Sequence, residues 1–217
     1  MKKIITVVSS ILLATIVSAS AEIGVGITGA IHKIDSSGSE TLRTSAKKTT
    51  ADHDETIIIP EIFVEGISDG GYALGISYIP TREVGDKSRT DVADATGREA
   101  GTYKAKAELD NVIQVYLDVP LMEVAGFQSY GKLGIQHATI NTKESLNSGS
   151  TYGNEDIFGA SIGLGVKGDL TYGEGLYYKG ELSYTTFEDI ELHNNVGNSI
   201  RAELDSYAAK FSVGKRF

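Results

Sequence analysis

Charged side chains sit on one parity of several alternating segments, and this pattern is the first feature that could do chemistry. Glu61 and Glu65, then Lys104, Lys106, Glu108 and Asp110, then Lys132, Lys167, Lys179, Glu181 and Lys210 each stand opposite a run of apolar residues. Acids and bases on one face can neutralise each other where water is scarce. The pattern predicts a structural charge network inside a closed β-structure. Other chemistry finds less support. Gly24-Val-Gly26-Ile-Thr-Gly29 and Gly163-Leu-Gly165-Val-Lys-Gly168 both match a dinucleotide fingerprint, but that motif needs a strand-to-helix turn, and no amphipathic helix follows either copy. Of the histidines, His32, His53, His137 and His193, none forms a close metal-ligand pair. His137 is the most catalytic in character, yet it shares parity with the apolar Leu133 and Ile135. Glu188, Asp189 and Glu191 could hold Ca²⁺ or Mg²⁺, but such a run reads more simply as a solvated charge cluster. The expectation is a protein that is not an enzyme and has no catalytic residue, no cofactor and no metal.

Composition narrows the class. The chain has 217 residues, no cysteine and a formal charge of −9. No disulfide framework is possible, and an acidic chain is a poor partner for nucleic acid. Glycines number 25 and prolines 3, with tyrosine (11) the main aromatic. Few prolines suit long paired strands, in which each needs its N–H. At the start, Lys2 and Lys3 precede an apolar run from Ile4 to Val17 and small residues up to Ala21. These are the parts of a cleaved export signal, and the run is too short to cross a membrane as a helix. The expected division is a signal peptide over 1–21 and one domain over 22–217.

From Glu22 onward the periodicity is two, as in strands. Ile23, Val25, Ile27, Gly29 and Ile31 share a face. So, in a second segment whose facing is ambiguous because Ile57, Ile58 and Ile59 are adjacent, do Ile58, Pro60, Ile62 and Val64. A third segment carries Tyr72, Leu74, Ile76 and Tyr78. In the fourth, Ala105, Ala107, Leu109, Ile113, Val115, Leu117 and Val119 are read as one continuous face. Four more segments follow, about eight in all. Their connections alternate between long and polar (35–54, 81–101, 141–154) and short (66–71, 120–126, 173–175), with a last one, 189–199, intermediate and acidic. That is the rhythm of an up-and-down barrel with long loops at one end. The longest strands match the ~9–11 residues a tilted strand needs to cross a bilayer. Aromatic residues cluster near strand ends, as girdles at two membrane boundaries would. The apolar faces are therefore expected to point outward, with the charges in the lumen. At about eight strands that lumen is filled by side chains.

The last segment carries a resemblance. Tyr207, Ala209, Phe211, Val213 and Phe217 alternate to the final residue, and a bulky aromatic at a chain end is unusual because ends fray. This resembles the C-terminal strand of bacterial outer-membrane β-barrels, although Lys215 stands where an apolar residue is usual. With the signal peptide and the strand rhythm, the chain is similar to the small family that includes the OmpA barrel and the OmpX and OmpW barrels. The resemblance implies an all-β transmembrane barrel in the outer membrane of a Gram-negative bacterium. It also implies that residues 207–217 are read by the barrel-assembly machinery, that lipids are the main partner, and that surface loops are open to a ligand. The role it implies is structural or surface-interacting. The alternative is a narrow channel for small or hydrophobic solutes, and behind it a lipid-modifying enzyme or protease.

Overall fold

The structure is a computed structural model, and it describes residues 22–41, 43, 46, 48–91, 101–145, 151–171, 173–195 and 197–217. The export signal read in 1–21 lies outside them. Ten strands follow in chain order: β1 (Glu22–Thr41), β2 (Lys48–Ile67), β3 (Ala73–Ile79), β4 (Arg82–Asp91), β5 (Gly101–Val124), β6 (Phe127–Ser145), β7 (Asn154–Asp169), β8 (Leu176–Phe187), β9 (Ile190–His193) and β10 (Ser199–Arg216). All neighbours are antiparallel, and β10 pairs with β1 to close the ring. β3 and β4 both pair with β5 around the break at Pro80-Thr81, and β8 and β9 both pair with β10 around Glu188-Asp189. The ring thus has eight positions. A row of paired residues that leaves β1 at Gly24 passes through Glu65, Gly75, Tyr116, Gly134, Ser161, Thr185 and Ser206 and returns to β1 at Ile34, ten residues along. That stagger tilts the strands, as closure of a small barrel requires.

Short turns and both ends of the described chain lie at one rim, the turn end. Around the wall next to it runs an apolar belt. Ile27, Ile62, Leu133, Leu164, Leu182 and Phe211 are all more than half exposed, and Leu182 reaches 68 %. A soluble monomer rarely shows a contiguous apolar patch beyond about 300–600 Å². Aromatic side chains mark both margins. Tyr178 meets both Phe127 and Phe211 toward the turn end, and Tyr184 meets Tyr207 toward the other.

Beyond the belt the polarity inverts. Ile34, Ile59, Ile79, Leu109, Val112, Ala138, Ile140, Ile157, Phe187, Ile190, Leu192 and Leu204 point inward and form one buried apolar cluster, with Tyr152 packed into it. The expectation of apolar-outward faces therefore holds in the belt and is reversed at the loop end. The connections expected to be long polar loops are mostly strand: Asp35–Thr41, Lys48–Asp54, Arg82–Asp91, Asn141–Ser145 and Ile190–His193 all belong to the ladder. At that end the wall parts along two seams. β2 and β4 do not pair, and neither do β7 and β9. One sheet is β9-β10-β1-β2 and the other is β4-β5-β6-β7. They hold the apolar cluster between them as the two layers of a sandwich do. A wall standing in water must bury its oil inside. A wall standing in hydrocarbon can turn it outward.

On β5 a bulge marks the passage from one regime to the other. The β5–β6 register shifts between Asp110 and Ile113, and Asn111 takes a left-handed φ of 51°. The extra residue of a bulge swaps the two faces of a strand. Gln114, Tyr116 and Asp118 face the lumen below it, and Leu109 faces the core above it. Asp110 pins the bulge. Its carboxylate accepts from Thr81 Oγ1, from the Asn111 backbone N–H at 2.9 Å, from Asn111 Nδ2 at 3.0 Å and from Asn141 Nδ2 at 3.3 Å. These donors, Thr81 first, hold the Asp110 carboxyl below its ordinary pKa.

Candidate functional site

The lumen behind the belt is filled in layers. Nearest the turn end is a cluster of charge and phenol. Lys179, 4 % exposed, donates to Asp118 Oδ2 at 2.5 Å and to Glu65 Oε2 at 2.8 Å. Tyr116 and Tyr177 donate to the two oxygens of Glu65 at 2.6 and 2.7 Å. Lys132 pairs with Glu181 Oε2 at 2.6 Å and lies 3.7 Å from Asp118 Oδ1. Tyr130 donates to Glu181 at 3.0 Å. The ammonium of Lys132 sits 4.1 Å from the centre of the Tyr116 ring, and Lys179 lies within 6 Å of Phe63, Tyr116 and Tyr130. Lys210 bonds Glu61 at 2.8 Å, with His32 at 3.5 Å on the same carboxylate. Such buried carboxylates are tolerable only because each is paired and hydrogen-bonded.

A neutral layer follows. Thr28 bonds Ser212 at 2.7 Å, Gln114 bonds Ser161 at 2.8 Å, Gln136 bonds Thr185 at 3.2 Å and His32 bonds Ser206 at 3.0 Å. The apolar cluster completes the filling. Tyr152, in the β6–β7 connection, reaches across to Glu40 at the end of β1, where its hydroxyl donates at 2.7 Å.

Room for the rings comes from glycine. Gly26 is paired with Phe63, Gly75 with Tyr116, Gly165 with Tyr130, Gly214 with Tyr177 and Gly159 with Phe187, each directly across the ladder. Each ring occupies the space a Cβ would need, which would lie 2.3–2.8 Å from the nearest ring atom. A Cβ on Gly165 would come within 2.5 Å of the Tyr130 ring and 2.6 Å of the Gly180 carbonyl oxygen. Gly165→Ala is expected to displace Tyr130 from Glu181 and to destabilise the barrel by ~1–3 kcal/mol. Urea unfolding in detergent would read this as a lower midpoint. Gly29→Ala, with nothing within 4 Å, should leave the midpoint where it is.

The residues that alternation assigned to one network separate into groups. Glu61, Glu65, Lys132, Lys179, Glu181 and Lys210 meet in the lumen. Lys167 is half-buried near the turn end, where it donates to the Gly71 carbonyl at 2.6 Å. Lys104, Lys106, Glu108 and Asp110 are not in the lumen, because the bulge at Asn111 turns them to the outer wall. There Lys106 pairs with Glu83 at 2.8 Å and Lys143 with Glu108 at 2.5 Å. Asp118, on the charged parity of its segment, joins the lumen cluster as that parity implies, and one inward residue, Arg82, escaped the assignment. Asp118 lies below the bulge on the same parity as Tyr116. Arg82 lies just past the Pro80 break, within electrostatic reach of Glu61. The signal for the bulge was the Asp110-Asn111 pair, a turn-forming dipeptide inside an otherwise regular strand. At the C-terminal end, Tyr207, Ala209, Phe211, Val213 and Phe217 share the outer face of β10, and Phe217 exchanges backbone hydrogen bonds with Ile23. His137 is on the outer wall against Phe158, with Asp156 at 3.9 Å. Glu188 accepts from the Phe158 N–H at 3.0 Å and Glu191 from Arg201 at 3.0 Å.

A closed antiparallel ring, belted outside and charged within, has counterparts among solved structures. The outer membrane protein OprG from Pseudomonas aeruginosa superposes with a TM-score of 0.51 at 14 % identity, over 92 % of this chain and 97 % of that one. The outer membrane protein AlkL, solved in lipid bilayers, gives 0.51 at 10 % identity, over 92 % and 91 %. The fold is that of a small outer-membrane β-barrel. No protein-family model matches the sequence, and no curated protein matches it. The outer-membrane barrel fold therefore comes from the backbone path and the pattern of faces, at identities that carry nothing about role.

Proposed function

We propose that this protein is a non-conducting outer-membrane barrel whose role is structural and surface-interacting. The belt is its lipid-facing wall, the turn end lies in the periplasm, and the two sheets of the loop end stand outside the cell as a rigid platform. The export signal over 1–21 and the terminal strand belong to the same reading. One observation carries it: charged cluster, hydrogen-bonded layer and apolar core succeed one another along the axis, each packed with buried side chains. Ion pairs alone could hydrate and open, but an apolar layer in series excludes water. Purified protein in planar bilayers is expected to show no steady conductance, while migrating faster on gels before boiling than after. A stable unit conductance would overturn the closed lumen. Absence of the gel shift would overturn the membrane barrel.

A further inference from the structure

The seam between β2 and β4 leaves a long strand edge unused. β2 pairs with β1 along its whole length, but β3 covers only Ile62 to Ile67 on its other side. From Lys48 to Glu61 that side has no strand beside it among the described residues. The matching seam between β7 and β9 is stitched. Glu155 accepts from the Glu191 N–H at 3.1 Å, and Glu188 accepts from the Phe158 N–H. No hydrogen bond joins β2 to β4 among the described residues, although the charge of Arg82 on β4 reaches across to Glu61 at the end of this edge. A free edge offers a row of N–H and C=O groups to any extended chain.

The outer face beside this edge says which chain would fit. Asp35 stands directly opposite Asp205 on one side and Asp54 on the other. The next outward row places Ser37 between Glu203 and Asp52. Like charges in direct cross-strand register repel. These two rows hold no base; Lys33, one row to one side, is 2.9 Å from Asp35, and Arg201, one row to the other, is taken up by Glu191 at 3.0 Å. Lys33, Asp35, Asp52, Asp54, Glu203 and Asp205, with His53 and two serines, line a groove of about 480 Å³. On β2 itself Asp52 and Asp54 are two apart and exposed, so a strand laid on the edge would bring alternate residues next to them.

We propose that the β2 edge from Lys48 to Pro60 pairs with an extended cationic peptide, whose backbone continues the sheet and whose alternate Lys or Arg side chains lie against Asp52 and Asp54. This rests on the reading that the loop end stands in water. The peptide is held by two separable interactions, main-chain hydrogen bonds along the edge and charge along the outer face.

The test uses the full-length barrel in detergent and a fluorescent twelve-residue peptide alternating Lys with Thr or Val, followed by anisotropy. A second peptide of the same sequence is N-methylated at alternate residues, on the side that would pair. The first is expected to bind, and the methylated one to bind at least about tenfold more weakly, since it cannot donate. Asp52→Asn with Asp54→Asn should weaken the first by about three- to tenfold at low salt. Equal binding of the two peptides would overturn edge pairing and leave only ion exchange on an acidic wall. Unchanged affinity in the double variant would overturn the assignment to β2. No binding, or a concentration-dependent dimer that excludes the peptide, would overturn the proposal. All of these outcomes leave the conductance and gel-shift tests untouched.

Discussion

Lys179→Met is expected to be the most damaging single substitution in the lumen. The ammonium bridges Asp118 and Glu65, and both carboxylates are essentially inaccessible to water. Methionine fills the volume but leaves two buried acids facing one another. Removing one partner of a buried pair costs ~3–5 kcal/mol, because the remaining charge stays desolvated. Here one acid keeps only the more distant Lys132, at 3.7 Å, and the other keeps only phenols. Against a total stability of about 5–15 kcal/mol, that is a large fraction. Gel mobility in increasing urea should show a midpoint far below that of the parent. Adding Glu65→Gln and Asp118→Asn should recover much of the loss, because the charges that needed the lysine are gone. Lys143→Met is the control. Its pair with Glu108 is as short, at 2.5 Å, but the lysine is 61 % exposed, so water replaces the partner and the change should stay within ~1 kcal/mol. If Lys179→Met unfolds at the parent midpoint, the lumen network is not what holds the wall together.

Alternation was legible wherever the two sides of the wall meet different media. On β1, β8 and β10 one side meets the apolar belt and the other the lumen, and the residue types separate cleanly. It failed where both sides want the same thing. Ile57, Ile58 and Ile59 are consecutive because they sit at the junction of the two regimes. Ile58 is 80 % exposed in the belt, while Ile59 is buried in the apolar core and Ile57 packs against it. The polar segments from Asp35 to Asp54 read as loop because their outer face is acidic and hydroxylic, which a strand in water permits. The fold was therefore visible in outline, and the sandwich at the loop end was not. The lumen site was visible strand by strand where registers are regular. Which acid meets which base depends on stagger around the ring, and no single strand carries that information.

The bulge at Asn111 makes the strongest demand on this account, and deleting that residue is the experiment that isolates it. Without it, β5 runs in unbroken register from 101 to 120, and every side chain above the deletion changes face. Below it, Gln114, Tyr116 and Asp118 keep their pairing with β6 and the belt stays intact. Above it, Leu109 and Ala107 turn out to water, while Glu108 and Lys106 turn into a cluster of isoleucines and leucines with no carboxylate or amine to receive them. Burying even one unpaired charge in such a place costs several kcal/mol. The β5 segment above Asp110 would detach sooner than accept it, taking β4 with it, because β4 pairs with nothing else. The expected result is a protein that still shows the heat-dependent gel shift but is rapidly cut by protease within the paired segments 82–91 and 101–110, which in the parent are held in the ladder. Asn111→Gly, which keeps the left-handed conformation and the residue count, should behave as the parent. A deletion variant as protease-resistant as the parent would mean that the loop end does not depend on which face of β5 it receives.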